Sequence, residues 1–187
     1  MKNINWETVQ DEVRRPVPGG YAAKITRVED VEEKEYLRIE WDFADGEFKG
    51  SNQETMTALG FWPYSFVQSY KDTALRFFKG FKTAVENSNP NFVFKNDPQS
   101  FVGKFVGVVL AEEEYVSNAG QVKTRLYVAE KRSGKAIREG DFKVPDLKKL
   151  DPSKLSSVSA PAPAYAAPVQ SQGFVPITVD DDELPFN

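Results

Sequence analysis

The sequence predicts a mainly β fold, namely a five-stranded OB-fold barrel with one helix between strands three and four and a disordered C-terminal tail. Residues 36–43 alternate apolar and polar side chains in period two, as in a half-buried strand. Residues 66–86 repeat large apolar side chains at helical spacing. After residue 150 the composition shifts to Ala, Pro, Ser and Gln. A small α+β sheet is the main competing architecture.

The first two strands are predicted over residues 21–28 and 36–43, with the charged stretch 29–35 as a hairpin loop. The second strand should direct its apolar set toward the core and its polar set toward solvent. The apolar set is Leu37, Ile39, Trp41 and Phe43, and the polar set is Tyr36, Arg38, Glu40 and Asp42.

The middle of the chain is predicted to hold a third strand over residues 53–59, an aromatic loop over 60–64 and an amphipathic helix over 66–86. The segment Asn87-Ser88-Asn89-Pro90 should end the helix. The residues that recur at helical spacing, and that should form its buried face, are Phe66, Tyr70, Phe77, Phe81 and Val85.

Two further strands are predicted over residues 101–110 and 121–129, with the acidic run 112–114 as a charged edge before the second. Residues 131–150 are basic and are expected to be irregular. The resulting order of three strands, one helix and two strands is that of an OB-fold barrel.

Four segments follow: a lead-in over residues 1–17, an OB-fold domain over 18–150, a disordered Ala/Pro/Ser linker over 151–179 and an acidic tip over 180–187. The whole chain has a net charge of −4. Residues 151–187 contain one lysine and five acids, so they hold all of that net charge and the body is neutral. A neutral body still binds nucleic acid if its cations gather on one face.

The composition argues against several classes of function. Among the 187 residues there is no Cys and no His, so thiolates and the commonest general base and metal ligand are missing. We therefore predict a non-enzyme with no catalytic residues, no cofactor and no metal site. No apolar run approaches the ~20 residues of a membrane span. Because the first residues also lack an apolar signal-peptide core, we expect a cytoplasmic protein without a membrane partner.

The predicted outward strand faces carry the residues that a single-strand binder needs, which are cations for phosphates and rings for bases. Ordinary solvated strand faces are the alternative interpretation. Lys24 and Arg27 have opposite parity on the first strand, so they need not share a face. The rings of the aromatic loop either bind bases or form a lid on the core. The candidate nucleic-acid-binding residues are Lys24, Arg27, Tyr36, Arg38, Trp62, Tyr64, Lys123, Arg125 and Tyr127.

The last eight residues combine four consecutive acids with Leu-Pro-Phe and a final Asn187. Pro185 prevents a helix there, and clustered charge beside one aromatic anchor suits capture by a basic pocket on a partner. A solubilising tail is the other interpretation, but it has no use for an exposed Phe. The candidate partner-binding residues are Asp180, Asp181, Asp182, Glu183, Leu184, Pro185 and Phe186.

This tip resembles the acidic C-terminal tip of bacterial single-stranded DNA-binding proteins, in which a run of Asp precedes an apolar residue, Pro and a final Phe. Here Asn187 follows that Phe. The body resembles a phage family of small early-gene proteins taken to be single-stranded DNA-binding proteins. The likeness covers most of residues 18–130. Its matching segments are Pro18-Gly19-Gly20-Tyr21, residues 36–50, Phe101-Val102-Gly103-Lys104 and Glu113-Glu114-Tyr115.

Taken together, the resemblances imply a protein that coats single-stranded DNA without sequence preference, in the host cytoplasm if it is phage-encoded. Its tip would recruit replication or recombination proteins of the helicase, primase, polymerase or recombinase class. Homo-oligomer formation is left open. The leading alternative is an OB-like protein-interaction adaptor or DNA mimic with no nucleic-acid affinity of its own, and an enzyme is a distant third.

Overall fold

The computed structural model describes residues 15–151, which form a five-stranded antiparallel sheet with three helices. The sheet order is β3-β2-β1-β4-β5, so β3 and β5 are its edges. The acidic tip, and the linker and lead-in apart from residues 15–17 and 151, lie outside the described residues. The elements in chain order are β1 (Gly19–Val31), β2 (Tyr36–Phe43), α1 (Ser51–Leu59), β3 (Ser65–Ser69), α2 (Leu75–Ser88), β4 (Phe105–Val116), β5 (Val122–Arg132) and α3 (Gly134–Glu139).

Strand β2 has the predicted bounds, and its four predicted core residues are all buried. Asp42, however, was predicted to face solvent and is only 7% exposed. Its carboxylate accepts hydrogen bonds from the backbone N–H groups of Asn52 (3.1 Å) and Gln53 (3.0 Å) in the first turn of α1. Asp42 therefore satisfies helix donors that would otherwise lack partners.

The predicted third strand is wrong, because residues 53–59 belong to α1. The segment is rich in helix formers such as Gln53, Glu54 and Met56, and Asp42 holds its first turn. The third strand is β3, which lies inside the stretch predicted to be helix and pairs antiparallel with β2. The strand count and the presence of a helix between strands three and four are nevertheless confirmed.

The predicted helix is shorter than expected, since α2 begins at Leu75 rather than at residue 66. Phe81 and Val85 are buried on α2, as predicted, and Phe66 is buried as a strand residue of β3. Phe77 was predicted to lie in the core but is 58% exposed. Helical spacing misassigned it because Phe66 lies on a different element, so the two residues share no helix face.

The last two strands are shifted relative to the prediction. Strand β4 begins at Phe105 and continues to Val116, so the acidic run 112–114 lies within it. The predicted irregular region contains α3, whose first turn is capped where the Ser133 side chain accepts from the Ala136 N–H at 3.2 Å. Helix α3 packs on Gly107 of β4, where an added Cβ would lie 2.3 Å from the Ile137 side chain.

One face of the sheet packs with α2 to form the core. The core includes Ile25 of β1, Trp41 of β2, Val108 of β4 and Phe81 of α2. Within residues 15–151 the sheet is open, with no hydrogen-bonded pairing between β3 and β5. Lys131 of β5 bridges these edges, because its Nζ atom lies 5.2 Å from the centre of the Phe66 ring of β3. No helix in the described part is long and apolar enough to cross a membrane.

Candidate nucleic-acid interface

The predicted cations on β1 and β2 lie on one face of the sheet, opposite the core. The register pairs Lys24 with Asp42 and Arg27 with Glu40, and it is interrupted by a bulge between Ile25 and Arg27. The extra residue, Thr26, changes the parity of the strand, so Lys24 and Arg27 face the same way. The two residues therefore share a face of the sheet although they are an odd number of positions apart in the sequence.

The two arginines of this face contact carboxylates in the free protein. Arg27 lies 3.3 Å from Glu40 and 3.7 Å from Glu29, and Arg38 lies 3.5 Å from the same Glu29. Tyr36 is half-buried at the beginning of β2, opposite Val31. Ion pairs between exposed side chains contribute little stability, ~0–1 kcal/mol. A phosphate can therefore replace these carboxylates at small cost.

The predicted residues of β5 form a second, separate network. Arg125 lies 2.8 Å from Glu113 and its guanidinium lies 5.0 Å from the centre of the Tyr115 ring. Lys148 also lies 3.3 Å from Glu113 and stands over the Tyr127 ring. Burial alone would raise the pKa of Glu113, but hydrogen bonds from Arg125 and Lys148 outweigh it and lower the pKa. Lys123 is exposed at the end of this network, opposite Tyr115.

The two groups of predicted residues lie near opposite ends of the sheet. Strand β1 pairs with β4 only from Gly19 opposite Leu110 to Lys24 opposite Phe105. The β4–β5 hairpin beyond residue 111 therefore extends past the beginning of β1, while the β1–β2 hairpin turns at the other end. The structure brings Lys24, Arg27 and Arg38 together and does not bring them to Arg125.

Two of the three rings of the predicted aromatic loop, Trp62 and Tyr64, are half-buried and contact Trp41 of β2. The Nε1–H group of Trp62 donates to the Trp41 carbonyl oxygen at 3.0 Å. The Tyr64 ring stacks on Trp41 with a centroid distance of 5.9 Å and meets Phe43 edge-on at 6.0 Å. Burial raises the pKa of the Tyr64 hydroxyl, an effect that nearby Arg15 opposes. The Tyr64 ring therefore packs on the core, as one of the two interpretations of the loop expected, while the half-buried Trp62 is joined to β2 by its hydrogen bond.

Sequence reasoning missed a group of cations and rings beside Lys24, which we call the Lys24–Phe105 patch. Its members are Lys24, Lys104, Phe92 and Phe105. Phe105 lies directly opposite Lys24 across the β1–β4 ladder and is 46% exposed. The Nζ atom of Lys104 lies 4.9 Å from the centre of the Phe92 ring. Phe105 alternates with the buried Val106, and that parity is the signal that identifies it as outward-facing.

The patch is held in place by one asparagine and contains a shallow groove. Asn89 donates to the Phe105 carbonyl oxygen at 2.7 Å and accepts from the Phe105 N–H at 2.9 Å. The groove has a volume of about 320 Å³ and runs from Ser88 to Phe105. Neither Lys24 nor Lys104 forms an ion pair with another residue of the described range. The patch thus offers unpaired cations beside an exposed ring.

The described residues contain no group of three or more carboxylates arranged to hold a metal ion. No protein-family model and no curated protein sequence matches the chain.

Proposed function

We propose that this chain is a single-stranded DNA-binding protein of the phage type, with an OB-fold body that binds the strand without sequence preference. The observation that carries the proposal is the Lys24–Phe105 patch, in which unpaired cations stand beside the exposed ring of Phe105 at the end of the β1–β4 ladder. Single-strand binders combine these features, because cations attract phosphates and every base can stack on an aromatic face at ~1–3 kcal/mol.

The strand order supports the OB-fold part of the proposal. An OB-fold is a five-stranded, partly open barrel whose binding face is flanked by the loops that join strands one to two and four to five. The order β3-β2-β1-β4-β5 fits such a barrel if its open seam lies between β3 and β5, where Lys131 stands over Phe66. The predicted residues on the two hairpins then flank the binding face from both ends.

A continuous outward band on the sheet supports a strand path across it. From Phe105 on β4 the band passes to Lys24 and Arg27 on β1 and then to Arg38 on β2. Arg38 lies opposite the exposed Val67 of β3. Glu29 and Glu40 interrupt the positive charge, so we expect modest affinity. Each phosphate contact that forms should make that affinity fall as salt concentration rises.

The acidic tip, Asp180 to Phe186, completes the proposal from the sequence alone. It would recruit replication or recombination proteins through its carboxylates and Phe186. When DNA is absent it would also compete for the cations of the sheet face.

A protein-interaction adaptor is the second candidate, and one observation favours it. Met56 and Leu59 of α1 and the following Phe61 are all exposed. Contiguous exposed apolar surface marks protein–protein sites. An adaptor of this kind would have no affinity for nucleic acid.

An electrophoretic mobility shift with oligo-dT over a series of salt concentrations separates the two candidates. The DNA-binding function predicts a shift that weakens as salt increases, because each phosphate contact releases counterions. The adaptor predicts no shift at any salt concentration. Absence of a shift in dilute buffer, with the chain folded, would remove the proposed function.

A further inference from the structure

A second groove lies between α2, β5 and α3, away from the outward sheet face. It has a volume of about 690 Å³. Phe77 of α2 lines it and is 58% exposed, with the Arg76 guanidinium 4.5 Å from the centre of its ring. Lys131 and Arg132 of β5 line the opposite wall. The groove therefore combines an exposed ring with cations, as the Lys24–Phe105 patch does.

Gly80 forms part of this groove, and nothing within the described chain requires a glycine there. It lies inside the 14-residue helix α2, where glycine destabilises relative to alanine. Its backbone is not in the left-handed region, and an added Cβ would have no heavy atom within 4 Å. A glycine at such a position leaves the helix backbone open to close approach by a ligand.

The groove also adjoins the Lys24–Phe105 patch. Asn87 lines the α2 groove, and the next residue, Ser88, lines the groove of the patch. The distance along α2 from residue 77 to residue 88 is about 16 Å at the usual helical rise. One extended strand can therefore run from Phe105 past the end of α2 to Phe77.

We propose that the α2 groove binds a base and the adjoining phosphates of the same single strand that the patch binds. The base stacks on Phe77 and lies against the backbone at Gly80, while Arg76 and Arg132 face phosphates. This inference rests on the proposed function. Arg132 contacts Glu130 at 2.9 Å in the free protein, but both side chains are exposed, so a phosphate can displace that contact.

The test uses Gly80→Ala, because its effects on stability and on binding should have opposite signs. The methyl group should raise the midpoint of thermal unfolding by ~2–4 °C, since alanine favours the helix. The same methyl group should keep a base from the floor of the groove. We therefore expect affinity for oligo-dT of about 20 nucleotides to fall on the order of 10-fold, with little change for about 6 nucleotides held by the patch.

Phe77→Ala should weaken binding of the long oligonucleotide by a similar factor, and Lys79→Ala is the matched control. Lys79 is exposed on α2 and does not line the groove. Suppose that Gly80→Ala and Phe77→Ala bind the long oligonucleotide as the unmodified chain does, while Lys24→Ala binds it more weakly. The groove is then not on the path of the strand, and this inference fails while the proposed function stands. If the unmodified chain binds neither oligonucleotide, the proposed function fails with it. If the two groove variants bind more tightly, the groove holds a competing occupant such as the chain's own acidic tip, and the inference is overturned.

Discussion

Lys131 of β5 stands over the ring of Phe66 of β3, with its Nζ atom 5.2 Å from the ring centre, so that one cation–aromatic contact joins the two edges of the sheet. The Lys131 side chain faces the core side of β5, and burial lowers its pKa below the ordinary value, an effect that Glu130 opposes. A charged group thus occupies a place where the sheet has no hydrogen-bonded ladder.

We expect Lys131→Met to stabilise the fold. Methionine keeps an unbranched stem over Phe66 and removes the cost of burying charge, so the free energy of unfolding should rise by about 1 kcal/mol at neutral pH. The free energy of unfolding is measured by urea titration, with tryptophan fluorescence as the signal. Lys123→Met is the control, because Lys123 is exposed on the same strand.

The pH dependence provides a second readout of the same variant. The folded-state pKa of Lys131 lies below its unfolded-state pKa, so the unfolded chain binds more protons between the two values. With respect to Lys131, the protein is therefore most stable above the unfolded-state pKa, where Lys131 is neutral in both states. That stability is lost as pH falls through the folded-state pKa, because the buried amine then becomes charged. The advantage of Lys131→Met should narrow as pH rises toward about 10.5. An advantage that is constant with pH would show that burial of charge is not its cause.

Asp42→Ala should destabilise the protein through α1. The variant removes the carboxylate that accepts from Asn52 and Gln53, and it leaves those N–H groups without a partner. We expect a loss of about 2 kcal/mol in the free energy of unfolding, measured by urea titration. Asp45→Ala makes the same charge change at an exposed turn position and should have little effect. Equal effects of the two variants would mean that Asp42 does not hold the helix.

Removal of residues 180–187 should raise affinity for oligo-dT, and most strongly at low salt. The tip contributes four of the chain's acids, which would compete with phosphates for the cations of the body. Fluorescence anisotropy at two salt concentrations measures the difference. The same deletion should abolish capture of replication or recombination partners. Identical affinity of the two proteins at every salt concentration would exclude competition by the tip.

The sequence predicts best where one strand pairs with its neighbours in regular register. The alternation from Leu37 to Phe43 predicted both the bounds of β2 and its buried residues, because a half-buried antiparallel strand has a strict period of two. The sequence pattern failed for α1 because the first turn of that helix depends on a hydrogen bond from Asn52 to Asp42, about ten positions away. The sequence pattern failed for β3 because Phe66 in the strand and Tyr70 just after it also have helical spacing, and a strand of five residues is too short to show a clear period of two.

The candidate site was predicted in part for related reasons. Lys24, Arg27 and Arg38 were identified by residue type, but only the bulge at Thr26 explains why they share a face. The pairing of each arginine with Glu29 or Glu40 depends on register and could not be read from the sequence. Phe105 was hidden in a run of apolar residues, since hydrophobicity alone does not distinguish the inward Val106 from its outward neighbour.

The central claim is that Lys24 and Phe105 hold single-stranded DNA, and a matched pair of double variants tests it most directly. Lys24→Ala with Phe105→Ala removes one cation and one exposed ring from the patch. Lys49→Ala with Phe61→Ala is the control. It removes the same two types of side chain outside the patch, because Lys49 is exposed and Phe61 is 53% exposed. Both pairs change the net charge equally, so a nonspecific charge effect would be shared.

The measurement is the dissociation constant for labelled oligo-dT by fluorescence anisotropy at a series of salt concentrations. The patch variant should bind at least ~10-fold more weakly than the unmodified chain, since it loses a stacking ring. Its salt slope should also be shallower by about 0.7, the value for one phosphate contact on a single strand. The Lys49 and Phe61 variant should bind as the unmodified chain does. Equal binding by both double variants, or no binding by the unmodified chain in dilute buffer, would contradict the account.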